Sequence, residues 1–316
     1  MGAQRIGQKR VTKRRRETVT VGHLKMDVGK FFLDSGAHSL YTLHVITKEH
    51  REGYAYYESK DFWKYVDRYA RFLKKWKRDI DFYANVDVIF NPELSWKVLK
   101  YLENEHGLNP VPVIHYNTPM KWIDKHLEQG YKFLGIGGLG QEAHKNDYIH
   151  WADRLYTHLC PKSNDYLPLV KTHGFAMTAY SLMIRYPWWS VDSVSWAKSS
   201  GFGSIFIPHK RQGKFVYDIP PYVMPISFNS TAQTKQGRHF KTLTAPEKQI
   251  INEWLEHIEM PLGSVHADGT TKEYGVLSEY HARALANIRF FDRLCEWLPK
   301  WPWPFTLSKP SIETLC

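Results

Sequence analysis

A chain of 316 residues, 43% hydrophobic and 24% charged, is long enough to bury a full core and has a globular composition. No run of about 18 apolar residues occurs, which excludes a membrane-spanning helix. The formal charge of +11, from 43 basic and 32 acidic residues, points to a polyanionic partner.

That charge is concentrated at the start. Arg5, Lys9, Arg10, Lys13, Arg14, Arg15 and Arg16 all precede the first acidic residue, Glu17. Residues 1–17 read as a basic arm suited to nucleic acid, or as a merely solubilising tail. The arm lacks the apolar segment of a secretory signal. Cys160, Cys295 and Cys316 are widely spaced and form no CxxC pair, which fits a reducing, cytoplasmic compartment and offers no zinc site.

After the arm, residues 18–26 read as a short strand or hairpin, and KFFLDSG (30–36) as a buried strand ending in a turn. Residues 37–60 read as an irregular, Tyr-rich loop, a candidate lid. From Asp61 to Arg78, Phe62, Tyr65, Val66, Tyr69, Phe72, Leu73 and Trp76 fall on one face of a helix. Strands then alternate with helices. IDFYANVDVIF (80–90), VPVIHY (111–116), YKFLGIGG (131–138), LPLVKTHGF (167–175) and GSIFIP (203–208) are the strands, with WWSVDS (188–193) between the last two. Pro92 and Thr118-Pro119 open helices, and another occupies 142–159. Repeated strand–helix units predict a parallel sheet, and without a Rossmann-type glycine fingerprint they favour an α/β fold of the (β/α)8 TIM-barrel type over 18–218. Residues 219–316 read as a proline-rich connection and a helical extension packing on the barrel. Thr244-Ala-Pro-Glu247 starts one helix there, with Ile250, Ile251, Trp254, Leu255 and Ile258 as its buried stripe, and a second spans 276–298.

Two aspartates end strand-like runs just before small residues. They are Asp34 in FLDSG and Asp192 in WWSVDS. At the carboxyl face of a barrel two such carboxylates divide glycosyl-transfer chemistry, one as nucleophile and the other as acid or base. Asp before Ser or Gly is also ordinary turn chemistry, and either residue in isolation reads as a turn former or helix cap; the neighbouring motifs favour the catalytic reading.

The motifs FFLDSG, DFYANVD, VIHY, LGIGGLG, THGF and SVDS, in this order over roughly 28–210, resemble the tRNA-guanine transglycosylase superfamily. They are closest in style to its short phage relatives that place 7-deazaguanines in DNA. The resemblance implies a pentosyltransferase that replaces guanine in DNA with a 7-deazaguanine base of the preQ0 type, through a covalent aspartyl-glycosyl intermediate. It implies Asp192 as nucleophile, Asp34 as general acid and base, and Asp87 as the carboxylate that reads the guanine edge. Gly137, Gly138 and Leu139 match the backbone stretch that contacts the base, and His115 stands where relatives have a base-contacting glutamine. Ser35, His173, Lys210 and Arg211 are further candidate substrate contacts. Each has a plainer reading: Asp87 pairing with a nearby cation, His115 and His173 as core histidines, and the glycine run as tight strand–helix packing.

The CxCxxC zinc cluster of the tRNA-modifying relatives has no counterpart after the barrel, so no zinc and no other cofactor is expected. This favours DNA over tRNA, the alternative substrate. The implied partners are therefore DNA and the free 7-deazaguanine base, with no membrane and with a homodimer left open. The implied location is the cytoplasm, of the host if the chain is phage-encoded. A non-catalytic nucleic-acid-binding subunit is the third reading, and retention of both Asp34 and Asp192 argues against it.

Overall fold

Short apolar runs bounded by turn residues form the strands, and those between residues 32 and 191 pair in parallel because helices carry the chain back between them. The computed structural model describes residues 18–21, 24–27, 30–47, 53–138, 145–177, 179–230 and 238–307. The basic arm and Leu139 lie outside the described residues. An antiparallel hairpin, β1 (Thr18–Val21) and β2 (Leu24–Asp27), precedes β3 (Phe32–Leu33). β3 pairs in parallel with β4 (Phe82–Tyr83), and a parallel bridge from Ala84 to Val111 continues the ladder. Next comes a four-stranded parallel sheet in chain order: β5 (Val113–His115), β6 (Phe133–Gly137), β7 (Lys171–Gly174) and β8 (Ser190–Val191).

Helices fill the connections: α1 (Ala37–Tyr41), α2 (Lys60–Trp76), α3 (Pro92–Asn104), α4 (Met120–Glu128), α5 (Lys145–Leu159) and α6 (Tyr180–Arg185). Ser59 caps α2 by accepting the Phe62 N–H, and Asn91 caps α3 by accepting that of Leu94, with Pro92 in its first turn. Ile114, Leu134 and Ile136 of the sheet pack with Trp151, Leu155 and Tyr156 of α5 in one fully buried cluster. The α5–α6 junction is pinned by a fork in which Arg185 Nε and Nη2 each donate to Asp153 at 2.8 Å, joined by the Tyr186 hydroxyl.

Rings from non-adjacent strands meet inside the sheet. Phe32 of β3 stacks on His173 of β7 at 4.4 Å and meets Phe133 of β6 edge-on at 5.8 Å. Phe82 and Phe133 both contact Trp189, over which Lys171 stands at 4.6 Å.

Several expectations need correction. The segment after Gly36 is not an open loop. It folds into α1, a π-helical turn (Thr42–Ile46) and a 3-10 turn (Gly53–Glu58), with Tyr56 and Tyr57 buried against Phe62. The periodic stripe of α2 outruns its packing surface: Phe72 and Trp76 are exposed. After α7 (Ser195–Gly201), β9 (Ser204–Ile207) pairs antiparallel with β12 (Tyr222–Pro225), around a hairpin of β10 (His209–Arg211) and β11 (Lys214–Val216). The proline-rich stretch thus holds an edge strand, which tolerates Pro225.

The capping box at Thr244 and Glu247 opens α8 (Ala245–His257), although Ile250 lies exposed while Ile251, Trp254, Leu255 and Ile258 are buried. A further hairpin, β13 (Ser264–Val265) and β14 (Thr271–Glu273), was not foreseen. The last helix, α9 (Tyr280–Trp297), packs on β9 and α7. Its buried Asn287 accepts the Phe206 N–H at 2.8 Å and donates to Ser200 Oγ and to the carbonyls of Trp196 and Ser204. No helix among the described residues is long and apolar enough to cross a membrane.

Candidate active site

Strand ends gather the candidate residues. Asp34 follows the last residue of β3, Asp87 lies three positions after Ala84 at the end of the β4 ladder, and Asp192 follows the last residue of β8. His115 and Gly137 end β5 and β6 and are register partners. Because these strands run parallel, all five positions lie at one edge, the carboxyl edge.

The carboxylates sense one another. Partial burial raises the Asp34 carboxyl above its ordinary value, the Asp87 charge raises it further, and Asp192 adds a smaller push; the Ser35 and Gly36 N–H groups oppose by donating to it. Asp34 is exposed to solvent.

Asp87 and His115 are both buried and joined by a 2.6 Å contact between Oδ2 and Nε2. Asp87 therefore pairs with a histidine rather than with the Lys or Arg that turn chemistry would supply. The loop carrying Asp87 is braced from α3, where Asn85 Nδ2 donates to the Ser95 carbonyl and the Val88 N–H donates to Ser95 Oγ. Glycine is required opposite His115: a Cβ on Gly137 would lie 2.9 Å from its Nδ1. At Gly138, with φ +107°, a Cβ would lie 2.6 Å from the Tyr116 backbone nitrogen.

Asp192 is about half exposed, and the β7–α6 turn cradles it. Its own N–H donates to the Gly174 carbonyl, and the Ala176 N–H donates to its Oδ1. Ala176 adopts φ +50°, a left-handed conformation that costs a non-glycine residue about 1 kcal/mol or more and directs this N–H at the carboxylate. His173, buried, places Nε2 3.9 Å from Asp192 Oδ2.

The remaining expected residues separate. Ser35 is buried and shapes the turn: its Oγ accepts the Ala37 N–H and its carbonyl accepts the Tyr65 hydroxyl at 2.6 Å. Lys210 and Arg211 of β10 pair with Glu253 of α8 and with Asp218 beyond β11. Among the described residues, no hydrogen bond or ion pair links either cation to the aspartates. The sequence reading missed Ala176 and the tyrosines behind the cluster. Tyr69 donates to the Ala84 carbonyl, and Tyr57 keeps a buried hydroxyl with no hydrogen-bond partner among the described residues, its pKa pushed up by burial and then by Asp87. The density of tyrosines between 54 and 69 was the available signal.

A cavity of about 520 Å³ between β8 and α9 includes Asp192 and Ser193 in its lining, with Trp188, Trp196, Phe291 and Trp303. Among the described residues, no group of three or more His, Cys, Asp or Glu side chains is placed to hold a metal ion. The arrangement supplies one accessible carboxylate, a second whose proton is held more tightly than usual, and a buried carboxylate–imidazole pair beside glycine backbone. Comparison of the chain with protein-family models, with curated proteins and with solved structures found no match.

Proposed function

We propose that the chain is a base-exchange transglycosylase that replaces guanine in DNA with a 7-deazaguanine, on a closed (β/α)8-type barrel. One observation carries the reading. Asp34, Asp87 and Asp192 leave three different parallel strands at the same edge, and the charges of Asp87 and Asp192 both act on Asp34. Carboxylates are rarely crowded together without function, because each disfavours ionisation of the next. Contact of Phe32 in β3 with rings of β6 and β7 supports closure of the sheet.

The chemistry follows from where the carboxylates stand. Cleavage of an N-glycosidic bond builds positive charge at C1′ of the sugar. The accessible Asp192 carboxylate attacks C1′, the C1′–N9 bond breaks with its electron pair going to guanine, and Asp34 delivers a proton to the departing base. Its raised pKa suits it to hold that proton. In the second half, Asp34 takes the N9 proton of the incoming base, N9 attacks C1′, and Asp192 leaves as the carboxylate. Asp87 and His115 recognise the base edge, and the glycines admit its face. Reaching C1′ requires the nucleotide to leave its stack, a step served by basic and aromatic surface.

Denaturing electrophoresis with labelled DNA, and separately with labelled tRNA, tests this. A covalent band should appear in the absence of free base, disappear when 7-deazaguanine is added, and be absent from Asp192→Asn. A band that persists in Asp192→Asn would assign the nucleophile elsewhere, and a band with tRNA alone would replace the DNA substrate. Binding with neither band nor exchange would make the chain a binding subunit.

A further inference from the structure

We propose that His173 is a positioning residue for Asp192: the carboxylate selects the Nε2–H tautomer of the ring, Ser190 accommodates it, and that N–H steers the carboxylate. The proposal rests on the reading of Asp192 as the attacking group.

The ring has no freedom to serve otherwise. It is 5% exposed, stacked on Phe32 at 4.4 Å with 12° between planes, and met edge-on by Phe175 at 4.6 Å. Nδ1 lies 2.8 Å from Ser190 Oγ. Nε2 is buried with no hydrogen-bond partner among the described residues, 3.9 Å from Asp192 Oδ2. A serine hydroxyl can donate or accept, so Ser190 fits either tautomer. The carboxylate decides between them. With the proton on Nδ1, the Nε2 lone pair would face an anion inside protein; with the proton on Nε2, a donor faces it and Ser190 donates to Nδ1.

Two donors then face the two oxygens of Asp192, the Ala176 N–H of the β7–α6 turn on Oδ1 and the His173 N–H of β7 opposite Oδ2. The 3.9 Å gap exceeds a hydrogen bond, and rotation of the half-exposed carboxylate closes it when substrate fills the site. Each carboxylate oxygen keeps a lone pair for C1′, so the donors fix direction without occupying the attacking position. When the glycosyl bond breaks in the second half-reaction, the electron pair returns to an oxygen that already faces a donor.

Two measurements test this. Long-range proton–nitrogen NMR on protein labelled with nitrogen-15 histidine, with the His173 signals assigned by their loss in His173→Gln, reads the tautomer directly. At neutral pH Nε2 should be the protonated nitrogen and Nδ1 the bare one. Asp192→Asn, which removes the anion that decides between the tautomers, should mix them and move the Nε2 signal, whereas Ser190→Ala should leave Nε2 protonated. In exchange assays His173→Phe, which keeps a stacked ring, should lower kcat about 100-fold while leaving KM within about threefold, as for a misdirected reacting group. His173→Gln, with an amide N–H near the Nε2 position, should recover part of the loss. Protonation of Nδ1, an Nε2 signal indifferent to Asp192→Asn, or full kcat in a folded His173→Phe would each overturn the proposal. If the parent protein exchanges no base, the transglycosylase reading fails, and the NMR measurement still decides whether Ser190, His173 and Asp192 act together.

Discussion

Gly137→Ala probes the centre of the candidate site through packing alone. The new Cβ would sit 2.9 Å from His115 Nδ1 and 3.0 Å from Cε1, whereas ordinary contact begins at 3.4 Å, so the ring must move by about 0.5 Å. It has no slack on its other side, where Nε2 already lies 2.6 Å from Asp87 Oδ2. Overpacking of this kind costs about 1–3 kcal/mol. If the buried pair separates, the stranded carboxylate adds about 1.5–3 kcal/mol. Denaturant unfolding of Gly137→Ala, His115→Ala and the double variant measures how these costs couple. With the imidazole gone, the alanine methyl meets open space, so most of the Gly137→Ala cost should vanish in the His115→Ala background. A cost of the same size in both backgrounds would show that the clash lies elsewhere and that Gly137 is not there to admit His115.

Two more expectations concern stability. The folded Asp34 carboxyl binds its proton more tightly than the unfolded one, so its contribution to stability is present at low pH and lost as pH rises through the raised value. Asp34→Asn should therefore gain stability over the parent at pH 7 and lose that gain below the ordinary carboxyl value of 3.8; an equal difference at both pH values would refute the shift. Asp153→Ala strands Arg185, whose side chain is only 18% exposed, and should cost about 3 kcal/mol in urea unfolding; a loss under about 1 kcal/mol would show the fork to be dispensable.

The parts of this molecule that were legible in its sequence are those where local chemistry and fold agree. FFLDSG and WWSVDS announce strand ends because a buried parallel strand is a run of large residues and its exit is a turn, and Asp34 and Asp192 stand at those exits. The Asp87–His115 pair joins residues 28 positions apart, and residue type alone does not say that both are buried or that they share a proton. Ala176 is invisible to sequence reasoning, since nothing about alanine signals a left-handed backbone. Helical periodicity named Phe72 and Trp76 as core because periodicity reports the face, not where the neighbouring surface ends. The antiparallel pairing of β9 with β12 escaped because a proline-bearing edge strand has little local signature.

Asn287 ties the far end of the chain to the proposed nucleophile. Its amide group joins α9 to Trp196, Ser200, Ser204 and Phe206, and α7 begins three residues after Asp192. The loop that presents Asp192 is thus moored at both sides, by the β7–α6 turn and by a helix almost a hundred residues downstream. A fragment ending near residue 218 would keep Asp34, Asp87 and Asp192 yet leave α7 and β9 with unpaired buried amides and carbonyls, free to drift. The last long helix is therefore the outer wall of the loop that presents Asp192, and a change at Asn287 should displace that carboxylate as well as weaken the carboxyl-terminal packing.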